Sequence, residues 1–263
     1  MIRRIVPQAW KLRLRLARRA WSDFRSGALR NFAQKSPHQE FPYSLALTQP
    51  VLNATTEQSR INKVHNIKIA AASIEEIVIK PGEIFSFWRA VGEPSQKNNF
   101  KEGINIIRGD VIEAFGGGLC QLSSIIYHLS LMADLTVVER SNHSVDLYHD
   151  KERYTPLGSD CAVFYGYKDL RLRNDHKNSV RFRFEVHDKT LDCFIDSMEP
   201  IEKKLISFET VKEDEMGTTV ITKTSRETIA SSHYVKGQEM PTESEFAFHG
   251  DHSEKNQVLT PLT

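Results

Sequence analysis

Three cysteines in a chain of 263 residues, at positions 120, 161 and 193, are too few and too widely spaced for a disulfide framework. No Cys-x-x-Cys or His-x-x-x-His pair marks a structural zinc site, and neither a metal nor a cofactor is expected. Unpaired thiols fit a reducing compartment. No run approaches the roughly 20 apolar residues needed to cross a bilayer. The arginine-broken N-terminus also lacks the uninterrupted apolar segment and small-residue cleavage site of a secretory signal. Internal repeats and low-complexity tracts are missing too. Net charge is only +1, which gives the chain as a whole no nucleic-acid signature. These absences together predict a soluble cytoplasmic protein.

Charge is present but unevenly placed. Residues 1 to 35 carry ten Lys or Arg against Asp23 alone, a net +9, so the remainder is near −8. Within this arm Trp10, Leu14, Ala17, Trp21 and Phe24 recur at helical intervals, with Lys11, Arg15 and Arg18 on a flank. A basic amphipathic helix with tryptophans can lie at the headgroup level of an anionic membrane, here through residues 10–30. The same stripe could instead dock on the rest of the protein. The arm is assigned to residues 1–36, the main domain to 41–225, and a polar, flexible tail to 231–263.

Hydrophobic residues make up 40% of the chain, enough for an ordinary core. Helical periodicity from Thr56 to Ser73 starts at a threonine N-cap. Ile77–Ile79 and Ile84–Trp88 read as strands around Pro81-Gly82, with Glu83 as a turn carboxylate. Ile104–Ile107 and Val111–Phe115 flank Arg108-Gly109-Asp110 as a hairpin. Further strands are expected at Leu135–Arg140, Ala162–Tyr167, Leu170–Arg173, Val180–Val186 and Leu191–Ile195, and a last hairpin at Leu205–Thr210 with Thr218–Thr224. His149 reads as a surface residue. Strands grouped after helices, without strict alternation, predict an α+β fold: one mixed domain with a mainly antiparallel sheet and packed helices.

The most distinctive stretch is Phe115 to Ser124, where Gly116, Gly117 and Gly118 run into Cys120. Leu119, Leu122, Ile126, Leu129 and Ala133 then mark a helix with one buried face. Cys120 falls in its first turn, where free amides and the helix dipole favour a thiolate. His143 and Asp160 follow in the order of a nucleophile, a base and a residue that orients the base. Backbone amides from Gly118 to Gln121, with the Gln121 side chain, are candidate oxyanion donors. Ser123 and Ser124 share the helical side of Cys120 and could bond a substrate or cap the turn. Arg140 has the planar fork that suits a substrate carboxylate, or a structural ion pair.

Pro81-Gly82-Glu83-Ile84-Phe85-Ser86-Phe87, Gly116-Gly117-Gly118-Leu119-Cys120-Gln121-Leu122-Ser123-Ser124, Glu139-Arg140 with His143-Ser144, and Gly158-Ser159-Asp160 together resemble the VanW family. That family is named for an accessory protein of vancomycin-resistance gene clusters. The resemblance runs over about residues 41 to 196. Members commonly continue Gly-x-Asp with Ala-Thr, whereas Cys161-Ala162 follows Asp160 here, so the carboxylate is kept and a second thiol is added. The resemblance implies a cell-envelope setting, with a peptidoglycan precursor or another cell-wall component as partner. Two readings follow. One is a thiol hydrolase or acyl transferase built on Cys120, His143 and Asp160. The other is a non-catalytic module whose glycine loop holds an anionic precursor or docks a cell-wall enzyme. A redox or metal role for Cys120 and His143 ranks below both, since two ligands are too few for zinc.

Overall fold

The computed structural model describes residues 7–36, 40–51, 56–107, 110–146, 155–224 and 227–236. In chain order the elements begin with α1 (Gln8–Arg25), β1 (Gln34–Lys35), β2 (Tyr43–Pro50), α2 (Glu57–Glu75), β3 (Ile77–Ile79) and β4 (Ile84–Ser86). They continue with α3 (Phe87–Val91), β5 (Glu102–Ile107), β6 (Asp110–Phe115), α4 (Leu119–Met132), β7 (Thr136–Glu139) and β8 (Val145–Asp146). The last are β9 (Arg171–Arg173), β10 (Val180–Val186), β11 (Thr190–Ser197), β12 (Ile206–Asp214), β13 (Gly217–Thr224) and β14 (Thr228–Lys236). The Arg108-Gly109 turn, His149 and residues 237–263 lie outside the described residues.

The largest sheet is antiparallel with order β1-β3-β10-β11-β2. Its inner face comes from the alternation of β10, where Val180, Phe182 and Phe184 are buried and the arginines between them are not. Helix α2 lies on β10, and α4 lies on β11 and β2 beside α2. Thr56 caps α2 as expected, its hydroxyl accepting from Ser59 N–H at 3.1 Å. Ile67, Ile74, Leu122, Ile126, Phe182 and Ile195 interlock where these layers meet. The single α+β domain expected from the order of elements is what forms. A second sheet, β12-β13-β14-β8, a small sheet, β4-β9-β7, and the β5-β6 hairpin complete it.

Helix α4 departs from the one-sided pattern expected of it. Twelve of its 14 residues are buried, including Gln121, Ser123, Ser124 and Ser130, so it runs through the middle of the protein. Ala162–Tyr167, expected to be a strand, is instead a tight turn closed by Phe164 and Lys168, with Gly166 at φ 78°. The Ile84–Trp88 strand stops early because the Ser86 hydroxyl caps α3, accepting from Arg89 N–H at 3.4 Å. Glu83 is the turn carboxylate expected, accepting from Lys80 N–H at 2.9 Å. Residues 231–236, assigned by their polarity to a flexible tail, form the second half of β14.

The basic arm is docked, but not by its apolar stripe. Leu12 and Leu16 face Gly166, where an added Cβ would lie 2.5 Å from Leu12 Cδ1. Arg19 reaches Glu139 at 2.7 Å, and Asp23 takes both ends of the Arg171 fork at 2.7 and 3.0 Å. Arg15 lies over the Tyr167 ring. These ion pairs set the rotation of the helix and turn Trp10, Leu14, Trp21 and Phe24 outward.

Candidate active site

The glycine loop delivers Cys120 by close approach of backbone to side chain. Gly116 and Gly118 have φ of 90° and 96°. A Cβ at Gly118 would meet Lys63 Cγ at 2.7 Å, and one at Gly116 would meet Pro94 Cβ at 2.8 Å. The buried Asn66 amide pins the loop by donating to Gly117 O at 3.1 Å and Lys101 O at 3.0 Å. Leu119 N–H returns to Gly116 O, and the Gln121 and Leu122 N–H groups return to Gly118 O. Among the described residues, the Cys120 amide alone of the first three in α4 has no such bond back into the loop.

Cys120 is half-buried, its Sγ 3.6 Å from Val163 O, and His143 lies close enough to act on its ionisation. His143 Nδ1 donates to Asp160 Oδ2 at 2.6 Å, and the same oxygen accepts the His143 backbone N–H at 2.7 Å. One carboxylate oxygen therefore fixes both the main chain and the ring of His143, leaving Nε2 for the sulfur. Cys120, His143 and Asp160, separated by up to 40 residues in sequence, are brought together in the order expected.

Burial opposes charge at all three groups, and their mutual contacts outweigh it. The Cys120 thiol is pushed up by burial but ends below its ordinary range because His143 hydrogen-bonds and faces it with positive charge. His143 is lowered by burial and raised by Asp160 and Cys120 to about 10. Asp160 is raised by burial and lowered by His143 and Arg140 to about 2. These directions favour a thiolate at Cys120 and an imidazolium at His143, with the Asp160 carboxylate behind the ring.

The other polar candidates, Arg140, Ser123, Ser124 and Gln121, are tied into the surrounding chain. Arg140 donates Nε and Nη2 to Asp160 O at 2.9 and 2.7 Å, Nη2 to Asp160 Oδ1 at 3.0 Å, and Nη1 to Ser232 Oγ at 2.5 Å. Its guanidinium lies 4.9 Å above the Tyr127 ring. Its fork is spent on an internal carboxylate, the second of the two roles open to it. Ser123 Oγ donates to Cys161 O at 2.7 Å, while Ser124 Oγ accepts from Cys161 N–H at 2.9 Å and donates to Cys120 O at 2.7 Å. The two serines thus stitch the segment after Asp160 onto the first turn of α4. Gln121 is buried and donates from its side-chain amide to Pro50 O at 2.7 Å.

Two residues of the site have no sequence signal of their own. Tyr234, buried on β14, donates its hydroxyl to Asp160 Oδ1 at 2.6 Å and accepts from Gly158 N–H at 2.9 Å. Val163 supplies the carbonyl beside the sulfur. The second thiol at Cys161 is fully buried, and burial pushes it well above the ordinary range. Elsewhere, Glu185, His187 and Asp192 bring ligand atoms near one another at the end of β10 and β11. Two of the three are exposed, and His187 Nε2 stands 3.5 Å from Asp192 Oδ2, the spacing of a surface ion pair.

Comparison with known proteins gives the same motifs a family. The chain is 35% identical over 148 residues to a protein named Vancomycin B-type resistance protein VanW from Enterococcus faecalis (strain ATCC 700802 / V583), covering 55% of this chain and 54% of that one. It is 29% identical over 147 residues to one named Uncharacterized protein YoaR from Bacillus subtilis (strain 168), covering 56% and 47%. The chain thus spans about half the length of the curated relatives it matches. No solved structure matches. Residues 62–195, which hold the glycine loop and all three members of the triad, match the family described as VanW like protein, and the chain belongs to that family.

Proposed function

We propose that this protein is a thiol-dependent hydrolase or acyl transferase acting on an amide bond of cell-wall-type peptides. The observation that carries the reading is the relay from Cys120 through His143 to Asp160, with the Nδ1–Oδ2 bond at 2.6 Å. A buried cysteine kept only for packing has no need of an imidazole oriented by a carboxylate. The substrate class follows the vancomycin resistance in the name of the enterococcal relative.

In this reaction the Cys120 thiolate attacks the amide carbonyl carbon, forming an S–C bond and moving the carbonyl π electrons onto oxygen. The Cys120 amide, which makes no bond back into the loop among the described residues, lies at the positive end of α4 and is the oxyanion donor. The C–N bond then breaks as His143 Nε2 gives its proton to the leaving amine, and a thioester remains on Cys120. His143, now neutral, takes a proton from water or an acceptor amine as that nucleophile bonds to the thioester carbon; the C–S bond then breaks and the sulfur leaves as the Cys120 thiolate beside the protonated His143. Asp160 stays ionised throughout, holding the ring and stabilising its charged form. Acid-quenched incubations of the full chain with peptidoglycan-derived peptides should show an acyl mass added at Cys120, or cleaved peptide. Both should vanish with Cys120→Ser. If no peptide is acylated or cleaved and Cys120→Ala binds the same peptides as tightly, the site is a binding site and the catalytic reading fails.

A further inference from the structure

The apolar stripe of α1 has its own consequence, independent of the thiol. At 3.6 residues per turn, Trp10, Leu14, Ala17, Trp21 and Phe24 share one face, opposite the face formed by Leu12, Leu16, Arg19 and Asp23 that docks the helix. Trp10, Leu14, Trp21 and Phe24 are 64%, 53%, 62% and 63% exposed. Four large apolar side chains in one exposed row are more than scattered surface residues. Lys11, Arg18 and Arg25 border the row on one side and Arg13 on the other, while the sequence beyond residue 35 is net acidic.

We propose that this face is a membrane-contact surface: the stripe enters the headgroup region of an anionic bilayer while α1 stays docked. The chemistry of the row matches that occupant. Tryptophan and phenylalanine settle at the acyl–headgroup boundary, and flanking arginines meet lipid phosphates. A second copy would set the same basic borders against each other. Among the described residues no helix is long and apolar enough to cross a membrane, so the contact is peripheral. Helix α1 rests on the 164–167 turn, and Val163 just before it touches the Cys120 sulfur. A seated helix therefore lies between the bilayer and the turn that leads to the candidate site.

The test is flotation of the full chain with vesicles of phosphatidylcholine alone and of phosphatidylcholine with phosphatidylglycerol. Binding is expected only to the anionic vesicles and should weaken with salt. Each of Arg13→Gln, Arg18→Gln and Arg25→Gln should lower it roughly five-fold. Trp21→Ser with Phe24→Ser should abolish it. All five positions are exposed, so melting temperatures should match the parent. Absence of flotation with anionic vesicles overturns the proposal, as does equal binding by the Trp21→Ser, Phe24→Ser protein. A concentration-dependent dimer that this double variant abolishes also overturns it, since the stripe would then be a contact between copies.

Discussion

Replacing His143 by Ala separates an activated thiol from a buried one. In the native protein burial raises the Cys120 thiol, and the hydrogen bond and charge of His143 more than offset it. A hydrogen bond to an ionised group contributes roughly 1.5–3 kcal/mol, a factor of roughly 10 to 150 in population at fixed pH. Removing the imidazole leaves burial, the largest influence, opposed only by the weaker Val163 contact, so the thiolate should now form above the ordinary value of 9.0. At about pH 6, where an ordinary thiol is almost wholly protonated, alkylation of His143→Ala should be slower by roughly 10- to 100-fold. A thiolate of higher pKa is a stronger nucleophile, which returns part of the loss.

Pseudo-first-order alkylation with a small haloacetamide, followed by intact mass across pH, reads this directly. Cys161 and Cys193 need no replacement, because both are fully buried with thiols pushed well above their ordinary range. The native protein should label once, with one inflection below 9.0. Its rate should then hold level to about pH 10, where the imidazolium loses its proton. If native Cys120 shows an ordinary inflection, or if His143→Ala labels as fast as the parent at about pH 6, the ion pair does not exist and the mechanism drawn from it falls.

Asp160→Asn tests the third member through stability. A carboxyl lowered from 3.8 to about 2 contributes stability that is complete above 3.8 and is lost as pH falls through about 2. That interval corresponds to about 2.5 kcal/mol, so urea unfolding at neutral pH should show a loss of this order, closing between 3.8 and about 2. A gap that persists below that range would assign the loss to packing. For the glycine loop, Gly118→Ala should destabilise by about 1–3 kcal/mol, through its φ of 96° and a Cβ only 2.7 Å from Lys63 Cγ. Gly82→Ala, at φ 78° with open space around it, is the matched control, and calorimetric melting of the two should differ by the packing cost alone.

Much of this arrangement was legible in the chain because it rests on short-range pattern. The glycine run, the apolar spacing after it and the alternation of Phe182, Phe184 and Val186 each report a local backbone state and a buried side. What such patterns do not report is a polar side chain's distant partner. Ser123, Ser124 and Gln121 are site candidates because they are polar and close to Cys120 in sequence. Their partners, Cys161 and Pro50, lie 37 to 71 residues away, and a buried hydroxyl that is satisfied at such a distance leaves no periodic mark. The same holds for β14. Its buried positions within the assigned tail are Ser232 and Tyr234, polar residues that read as solvated. They are polar because what they cover is polar: Ser232 takes Arg140, and Tyr234 takes Asp160. Hydrophobic patterning finds surfaces buried against hydrocarbon and misses a strand buried against an ion pair. The consequence bears on the site itself. The family match ends at residue 195, yet two of the groups that hold Asp160 and Arg140 come from residues 232 and 234. The triad is encoded within the matched region, while its orientation depends on a strand outside it.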